Sequence, residues 1–212
     1  MIKLENVSKK IRDRIVLNNI SFSFEDGKIY GLKGINGSGK TMLMRMIAGL
    51  IYPTEGRILV EGKELTKDIS FPEKLGLLLE NPAFLDRYTG LENLKILAEL
   101  SGDVKIEKLR ETLIKVGLDP DDKRKYRKYS LGMKQRLGIA AAIMDEPSIL
   151  MLDEPINALD ADGVELFTGI IEEEKKRGTL IILSCHEEAR LREYSDVIVL
   201  MEDGKIVDTE EK

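Results

Sequence analysis

Eight residues near the N-terminus constrain the fold of this chain more than any other feature. Gly34–Thr41 reads G-I-N-G-S-G-K-T and matches G-x-x-x-x-G-K-[ST], between a predicted strand and a predicted helix. Glycines let consecutive backbone N–H groups turn toward one anion, and the helix N-terminus adds its positive end. The segment therefore predicts a nucleoside-triphosphate-binding P-loop. A dinucleotide site is excluded here, because G-x-G-x-x-G is absent from the segment.

The chemistry of a triphosphate assigns roles to the polar members of this loop. Lys40 is expected to meet the β- and γ-phosphates, and the hydroxyl of Thr41 is expected to coordinate Mg²⁺. Further nucleotide contacts are predicted for Gly34, Asn36, Gly37, Ser38, Gly39 and Met42. A glycine-rich turn that holds no ligand is the alternative interpretation.

Two acidic residues follow a short apolar run in the second half of the chain. The run Ile149–Leu152 is predicted to be a strand, and Asp153 and Glu154 come directly after it. An aspartate at this position can hold Mg²⁺, and the adjacent carboxylate can orient and polarise an attacking water. A solvated turn is the alternative, but the presence of the glycine loop favours the catalytic interpretation.

The pattern of apolar residues indicates the fold class. Strands dominate the first third, helices dominate the middle, and the final third alternates between the two. Apolar strands that alternate with helices favour a parallel sheet covered on both faces. The predicted strands are 2–7, 15–17, 20–24, 29–32, 57–60, 149–152, 180–184 and 197–201, with a last short strand after residue 204. The predicted helices run from after residue 41 to near 52 and over 91–100, 106–116, 131–144, 164–176 and 187–193. Apolar residues recur at core spacing in the first two of these helices: Leu43, Ile47 and Leu50, and Leu91, Leu94, Leu97 and Leu100.

We therefore predict an α/β fold, with a P-loop NTPase core that contains a parallel sheet. An N-terminal antiparallel β subdomain and an inserted α-helical subdomain complete this prediction. All 212 residues are expected to form one domain, with the core at residues 1–81 and 147–212 and the helical insertion at 82–146. A chain of this length can bury a core of this kind.

Composition limits the environment and the partners. No apolar run approaches the roughly 20 residues that a membrane-spanning helix needs, and Met1–Glu5 is too polar for a signal peptide. The single cysteine, Cys185, cannot form an internal disulfide and suits a reducing cytosol. A net charge of −5 with interspersed signs argues against a nucleic-acid groove, and the basic run Lys123–Lys128 is interpreted as solvated surface.

Two further segments resemble motifs of the ATP-binding-cassette family. Tyr129–Arg136, Y-S-L-G-M-K-Q-R, resembles the family signature, which is usually L-S-G-G-Q. Asn157–Asp160, N-A-L-D, resembles the D-loop, which crosses the interface between two cassettes. By this resemblance, Ser130 and Gly132 reach the γ-phosphate bound by the opposite subunit, and Asp160 lies at the same interface.

The only histidine in the chain, His186, follows another predicted strand. It lies in S-C-H-E at 184–187 and matches the switch histidine of the family, which contacts the γ-phosphate. A lone histidine is more often structural than functional, but its position after the acidic pair supports the functional interpretation. Lys40, Glu154 and His186 are therefore the predicted catalytic residues.

The signature segment departs from the usual family pattern. Leu131 replaces the first glycine and Met133 replaces the glutamine, whereas Ser130 and Gly132 are retained. Together with N-P-A-F-L at 81–85, these variations resemble the export cassettes of bacitracin- and lantibiotic-type resistance systems.

Two ligand positions also carry unusual residues. Glu80 stands where the family has the Q-loop glutamine, so it is predicted to contact nucleotide and metal and to alter the Mg²⁺ dependence. Ile11 occupies the place where the family stacks an aromatic ring on adenine. An aliphatic side chain lacks that face-to-face contribution, and weak base selectivity is expected.

The resemblance implies a Mg²⁺-dependent ATPase on the cytoplasmic, inner face of the cell membrane, bound there to a separate permease. Two cassettes, identical or different, would close over two ATP molecules. Pro82–Leu94, with Phe84, Leu85 and Tyr88, is expected to help receive a cytoplasmic helix of the permease, and ordinary insert-domain core is the alternative. Two other functions stay open: a soluble cassette in DNA repair or on the ribosome, and a regulatory cassette that binds ATP without turnover.

Overall fold

A computed structural model describes residues 1–79, 82–101 and 104–212 of the chain. Its strands are β1 (Ile2–Ile11), β2 (Arg14–Phe24), β3 (Ile29–Lys33), β4 (Glu55–Val60), β5 (Lys63–Glu64), β6 (Leu75–Leu78), β7 (Ile149–Asp153), β8 (Leu180–Ser184), β9 (Val197–Glu202) and β10 (Lys205–Glu211). Its helices are α1 (Lys40–Ile47), α2 (Gly90–Ser101), α3 (Ile106–Lys115), α4 (Leu131–Ile143), α5 (Ala161–Lys176) and α6 (Glu188–Tyr194). A short 3₁₀ helix, Tyr126–Lys128, precedes α4.

The strands form two sheets, and the predicted α/β class is confirmed. One sheet is antiparallel, with the order β2-β1-β4-β5. The other has the order β10-β9-β3-β8-β7-β6; its strands from β9 to β6 run parallel, and β10 pairs antiparallel at the edge. Strands β7 and β8 are buried along their whole length, as their unbroken apolar sequences predict. Strands β5 and β6 were not predicted from the sequence.

The carboxyl ends of β3, β7 and β8 meet at one edge of the mixed sheet. Leu32 pairs with Ser184, and Ser184 pairs with Asp153. Beyond this edge the chain continues into the glycine loop after β3, into Glu154 after β7, and toward His186 after β8. Side chains that are far apart in the sequence therefore meet at the place where α/β sheets usually bind their ligands.

The first two strands form a longer hairpin than the sequence predicts. Strand β2 is continuous over residues that are predicted as two separate strands. Its pairing with β1 is irregular between Leu4 and Lys10, and Asn6 and Asn19 both adopt a φ of 50°. Asparagine tolerates this left-handed region, so the strands continue through bulges where the polar residues suggested an interruption.

Helix α1 is shorter than predicted and ends at Ile47. Gly49 then adopts a φ of 77°, which turns the chain away from the helical path. Leu43 and Ile47 are buried as expected, but Leu50 lies beyond the turn and is 60% exposed. The prediction that Leu50 belongs to the core is wrong for this reason.

Helices α2, α3 and α4 occupy the chain between β6 and β7. A reciprocal capping box begins α2, because Thr89 N donates to Glu92 Oε2 (2.6 Å) and Glu92 N donates to Thr89 Oγ1 (3.2 Å). Leu94 and Ala98 form the buried side of this helix, whereas Leu100, predicted with that side, is 82% exposed. At about 100° per residue, Leu100 points roughly 200° away from Ala98. Among the described helices, none has both the length and the apolar character required to cross a bilayer.

Candidate nucleotide-binding site

The loop between β3 and α1 wraps around the ammonium group of Lys40. Lys40 Nζ donates to the carbonyl oxygens of Gly34 (2.7 Å) and Ile35 (3.2 Å). Gly37 and Gly39 have φ values of 86° and 107°, in the region that favours glycine. At Gly39 an added β-carbon would also lie 2.9 Å from a methyl group of a core leucine. The shape of the loop therefore requires these glycines.

A cavity of about 470 Å³ opens beside this loop. Its walls come from the glycine loop with the start of α1, the ends of β7 and β8, the beginning of β2, and α4. The lining residues are Arg14, Val16, Asn36, Gly37, Gly39, Lys40, Thr41, Met42, Gln135, Asp153, Glu154, Asn157 and His186. Most of the predicted nucleotide, metal and catalytic residues therefore face one space.

Hydroxyl–carboxylate hydrogen bonds connect the start of α1 with the ends of two strands. Thr41 Oγ1 donates to Asp153 Oδ2 (2.5 Å), and Ser184 Oγ donates to Asp153 Oδ1 (2.5 Å). Ser184 Oγ also accepts from Glu154 N (3.1 Å). Because Asp153 and Ser184 are both buried, these contacts fix the direction of the Asp153 carboxylate.

The carboxylate of Glu154 is held next to His186. His186 N donates to Glu154 Oε2 (3.0 Å), and the imidazole Nε2 lies 3.6 Å from Glu154 Oε1. Burial raises the pKa of Glu154, and the charge of Asp153 adds to this effect, whereas the contacts with His186 and the charge of Lys40 oppose it. A carboxylate with a raised pKa beside an exposed imidazole is suited to accept a hydrogen bond from water.

The residues of the loop fit a phosphate group and its Mg²⁺ ion. The buried hydroxyl of Ser38 has no hydrogen-bond partner within the described part of the chain. Helix α1 begins with no side-chain cap from the described residues, so its N-terminus can receive an anion. The Thr41 hydroxyl and the Asp153 carboxylate are adjacent oxygen donors, the ligand type that Mg²⁺ prefers.

Several predicted nucleotide contacts lie outside this cavity. Gly34 lines a neighbouring cavity of about 650 Å³, and Ser38 is buried inside the loop. Ile11 pairs with Arg14 at the tip of the β1–β2 hairpin and is 43% exposed, but only Arg14 of this pair lines the cavity. Glu80, predicted to contact nucleotide and metal, lies outside the described residues.

Ser130, Gly132 and Asp160 lie around the beginning of α4, away from the lining of the Lys40 cavity. Ser130 Oγ accepts from a backbone N–H of the first turn and caps the helix (3.2 Å). A β-carbon on Gly132 would lie 2.8 Å from the carbonyl oxygen of Ala158. Arg136 Nη2 donates to Asp160 Oδ1 (2.6 Å). The signature-like and D-loop-like segments of one chain are therefore packed together.

Some residues of the site were not among the predicted site residues. Arg14, Val16, Gln135 and Asn157 line the cavity, and Ser184 supports both acidic residues. Asn157 and Ser184 belong to motifs that the sequence displays, so the motifs could have identified them. Arg14 and Val16 are two residues apart on β2 and share one face of the strand, but only the folded hairpin places that face beside the loop.

The glycine loop and the strand-end carboxylates define a P-loop protein that binds nucleoside triphosphates. A comparison with protein-family models matches residues 17–157 to the family described as ABC transporter. The chain therefore belongs to the ABC transporter family, as an ATP-binding subunit.

Curated relatives match over nearly the whole chain. An uncharacterized ABC transporter ATP-binding protein of Bacillus subtilis, YybJ, is 47% identical over 100% of this chain and 97% of its own length. The bacitracin transport ATP-binding protein BcrA of Enterococcus faecalis is 41% identical over 98% of this chain and 68% of BcrA. The lantibiotic transport ATP-binding protein SrtF of Streptococcus pyogenes is 37% identical over 98% of this chain and 89% of SrtF. The predicted resemblance to bacitracin- and lantibiotic-type cassettes is confirmed.

Solved structures support the same fold. An ATP-binding subunit of an ABC transporter superposes with a TM-score of 0.91 at 26% identity, covering 100% of this chain and 90% of the other. The cassette MJ0796, in a dimeric post-hydrolysis state bound to ADP and Pi, superposes with a TM-score of 0.89 at 23% identity. This superposition covers 100% of this chain and 98% of MJ0796. At that identity, the second similarity concerns the fold alone.

Proposed function

We propose that this chain hydrolyses ATP in a Mg²⁺-dependent reaction and thereby drives a separate membrane permease. The observation that carries the proposal is the convergence of Lys40, the Thr41–Asp153 pair and the Glu154–His186 pair in one cavity. A regulatory cassette that only binds ATP would not need a carboxylate and an imidazole beside its phosphate loop. Turnover is therefore the better explanation of the site.

Nucleotide binding is assigned to the glycine loop and the start of α1. Lys40 would exchange its loop carbonyl acceptors for the β- and γ-phosphates, which are stronger acceptors because they are charged. The Thr41 hydroxyl and the Asp153 carboxylate would hold Mg²⁺, which neutralises phosphate charge when it is bound. The remaining contacts are proposed for Asn36, Gly37, Ser38, Gly39 and Met42.

Hydrolysis is assigned to Glu154 and His186. The Glu154 carboxylate would accept a hydrogen bond from the attacking water and direct its oxygen at the γ-phosphorus, with ADP as the leaving group. His186 would donate to a γ-phosphate oxygen as negative charge develops there. The hydrogen bond from His186 N to Glu154 Oε2 links the two groups, so displacement of one alters the other.

A second cassette is proposed to complete the site. Ser130, Gly132 and Asp160 are located away from the cavity of their own chain, at the beginning of α4 and in the D-loop-like segment. Their hydroxyl, backbone and carboxylate groups would then serve the nucleotide bound by the other copy. Much of the catalytic machinery would be supplied between subunits, so the isolated monomer would be nearly inactive.

The permease is proposed to contact apolar groups beside α2. Leu85 and Tyr88 are exposed, whereas Phe84 packs edge-on against Tyr126 and contributes less to a free surface. A neighbouring groove of about 610 Å³ includes the exposed side chains of Leu50, Phe71 and Leu100. An amphipathic cytoplasmic helix of the permease would bury these groups. This contact would hold the chain at the cytoplasmic face of the membrane.

Export is the proposed direction of transport. Two relatives are named for bacitracin transport and lantibiotic transport, and the unusual signature residues Leu131 and Met133 support the same subgroup. Peptide antibiotics are the corresponding class of cargo, which the permease rather than this chain would select.

Steady-state ATPase measurements test the proposal. Hydrolysis is expected to require Mg²⁺, and specific activity is expected to rise with protein concentration as the two-cassette form assembles. Specific activity that does not change with concentration would contradict catalysis between subunits. Purification of the chain from membranes is expected to recover a permease with it, and Phe71→Glu is expected to weaken that recovery without lowering basal ATPase activity.

A further inference from the structure

Glu154 lies on a strained turn of the backbone. Its φ is 53°, in a region that residues with a β-carbon rarely adopt. Asn157 N donates to Glu154 O (3.2 Å) and closes the turn, while Glu154 N donates to Ser184 Oγ (3.1 Å). Such a conformation persists only when the surrounding contacts fix it.

Gln135, the only glutamine in the chain, supplies two of these contacts. From α4, its Nε2 donates to the carbonyl oxygens of Glu154 (3.2 Å) and Pro155 (2.9 Å). The side chain is only 6% exposed, so water cannot readily replace it. Because both partners are acceptors, only the NH₂ end of the amide can satisfy them.

The same side chain connects two parts of the proposed machinery. Gln135 lines the cavity together with Glu154, yet it belongs to the helix that Ser130 caps. The next residue, Arg136, donates to Asp160 Oδ1 (2.6 Å). Helix α4 is therefore attached to both ends of the segment 154–160.

We propose that Gln135 is a positioning residue for Glu154. It holds the strained turn so that the carboxylate faces the cavity, and it transmits displacements of α4 to that carboxylate. The inference rests on the proposed role of Glu154 in hydrolysis. The two hydrogen bonds from Gln135 Nε2 to the carbonyl oxygens of Glu154 and Pro155, here called the clamp, do not depend on bound nucleotide. Loss of the clamp is expected to slow the chemical step and to leave ATP binding nearly unchanged.

Two substitutions remove the donor in different ways. Gln135→Met keeps the length of the side chain and loses the hydrogen bonds, whereas Gln135→Glu keeps the shape and places an ionised carboxylate against two carbonyl oxygens. We expect kcat to fall about tenfold in Gln135→Met and further in Gln135→Glu, with KM for ATP within about twofold of wild type.

Thr179→Val is a matched control. Thr179 is buried, and its Oγ1 donates to the carbonyl oxygen of Pro147 (3.0 Å), near the opposite end of β7 from Glu154. This variant also loses a buried hydrogen bond from a side chain to the backbone, but away from the catalytic turn. Its kcat is expected to stay within about twofold of wild type.

Hydrogen exchange of the nucleotide-free protein provides a readout that does not depend on turnover. Backbone N–H groups in 154–159 are expected to exchange about tenfold faster in Gln135→Met than in wild type, with β8 unchanged. Unchanged exchange in this segment, unchanged kcat in both Gln135 variants, or an equal loss of kcat in Thr179→Val would overturn the inference. If the wild-type protein does not hydrolyse ATP, the proposed function fails, while the exchange measurement still decides whether the clamp exists.

Discussion

Thr41 Oγ1 donates to Asp153 Oδ2 across 2.5 Å and joins the first turn of α1 to the end of β7. These residues are more than a hundred positions apart in the sequence, and the parallel sheet brings them together. The pair places a hydroxyl and a carboxylate next to the Lys40 loop, where Mg²⁺ of a bound nucleotide would lie. We therefore expect removal of either group to raise the Mg²⁺ concentration that the reaction needs, with a smaller effect on the stability of the fold.

Replacement of Thr41 tests this arrangement. In Thr41→Val the hydroxyl is lost with little change in volume, so the Mg²⁺ concentration for half-maximal ATPase activity is expected to rise about tenfold or more. Thr41→Ser retains the hydroxyl and is expected to stay close to wild type. A Mg²⁺ titration of both variants decides the matter. If Thr41→Val and wild type need the same Mg²⁺ concentration for half-maximal activity, Thr41 is excluded as a metal ligand.

The raised pKa of Glu154 gives a pH-dependent stability effect. Burial favours the neutral form of the Glu154 carboxyl in the folded protein. The contribution of this carboxyl to the free energy of unfolding is therefore fully present below the unfolded pKa of 4.5 and is lost as the pH rises through the folded pKa. Glu154→Gln has no carboxyl to ionise. The Tm of Glu154→Gln minus that of wild type is therefore expected to be larger at about pH 8 than at about pH 4. Calorimetry of the nucleotide-free proteins measures this difference, and a smaller value at the higher pH would refute the expectation.

Arg14 is expected to contact the nucleotide in place of an aromatic ring. Its guanidinium can stack on any base with a contribution of about 1 kcal/mol, which corresponds to roughly a fivefold change in affinity. Arg14→Ala should therefore raise KM about fivefold for ATP and for GTP alike. Ile11→Ala, at the cross-strand partner of Arg14, should change KM less than about twofold. A larger effect of Ile11→Ala would restore Ile11 as the base contact.

The capping box at the start of α2 is expected to stabilise the helical region. The N–H of Thr89 and, to a smaller extent, the ammonium of Lys125 lower the pKa of Glu92 to about 2. These contacts therefore stabilise the ionised form of the Glu92 carboxyl. Thr89→Ala should reduce the free energy of unfolding by about 1 kcal/mol, because the helix loses a side-chain cap. Urea denaturation measures the change. Thr209→Ala, at an exposed position of β10, is the control and should remain within about 0.5 kcal/mol of wild type.

The sequence predicted those parts of the site that depend on one short segment each. The glycine loop, Asp153–Glu154 and His186 all follow apolar runs whose strand character is evident, so their common location at the sheet edge was predictable. The role of Gln135 was not predictable, because its partners are backbone carbonyls 19 and 20 residues further along the chain, and no side-chain pattern marks them. Arg14 and Ile11 are cross-strand partners at the tip of one hairpin, and only the folded hairpin decides which of them lines the cavity.

The limits of the fold prediction have similar physical causes. Strand β6 comprises only Leu75–Leu78, too short a run for its periodicity to distinguish strand from helix. Strand β2 continues through Asn19, whose polar character suggests a turn but whose positive φ forms a bulge. Leu50 and Leu100 continue the apolar spacing of the residues before them, so periodicity alone placed them in the core. Leu50 is exposed because it follows the turn at Gly49, and Leu100 is exposed because it points away from the buried side of α2.

ATP-dependent dimer formation by Glu154→Gln tests the central claim most directly. If two copies enclose ATP and Glu154 directs the water, this variant should bind ATP, fail to hydrolyse it and accumulate as a dimer, measured by light scattering. Ser130→Arg, added to the same protein, should prevent the dimer because its bulk occupies the face offered to the other copy. A variant that stays monomeric with ATP at high protein concentration, or that hydrolyses ATP at the wild-type rate, would contradict the account.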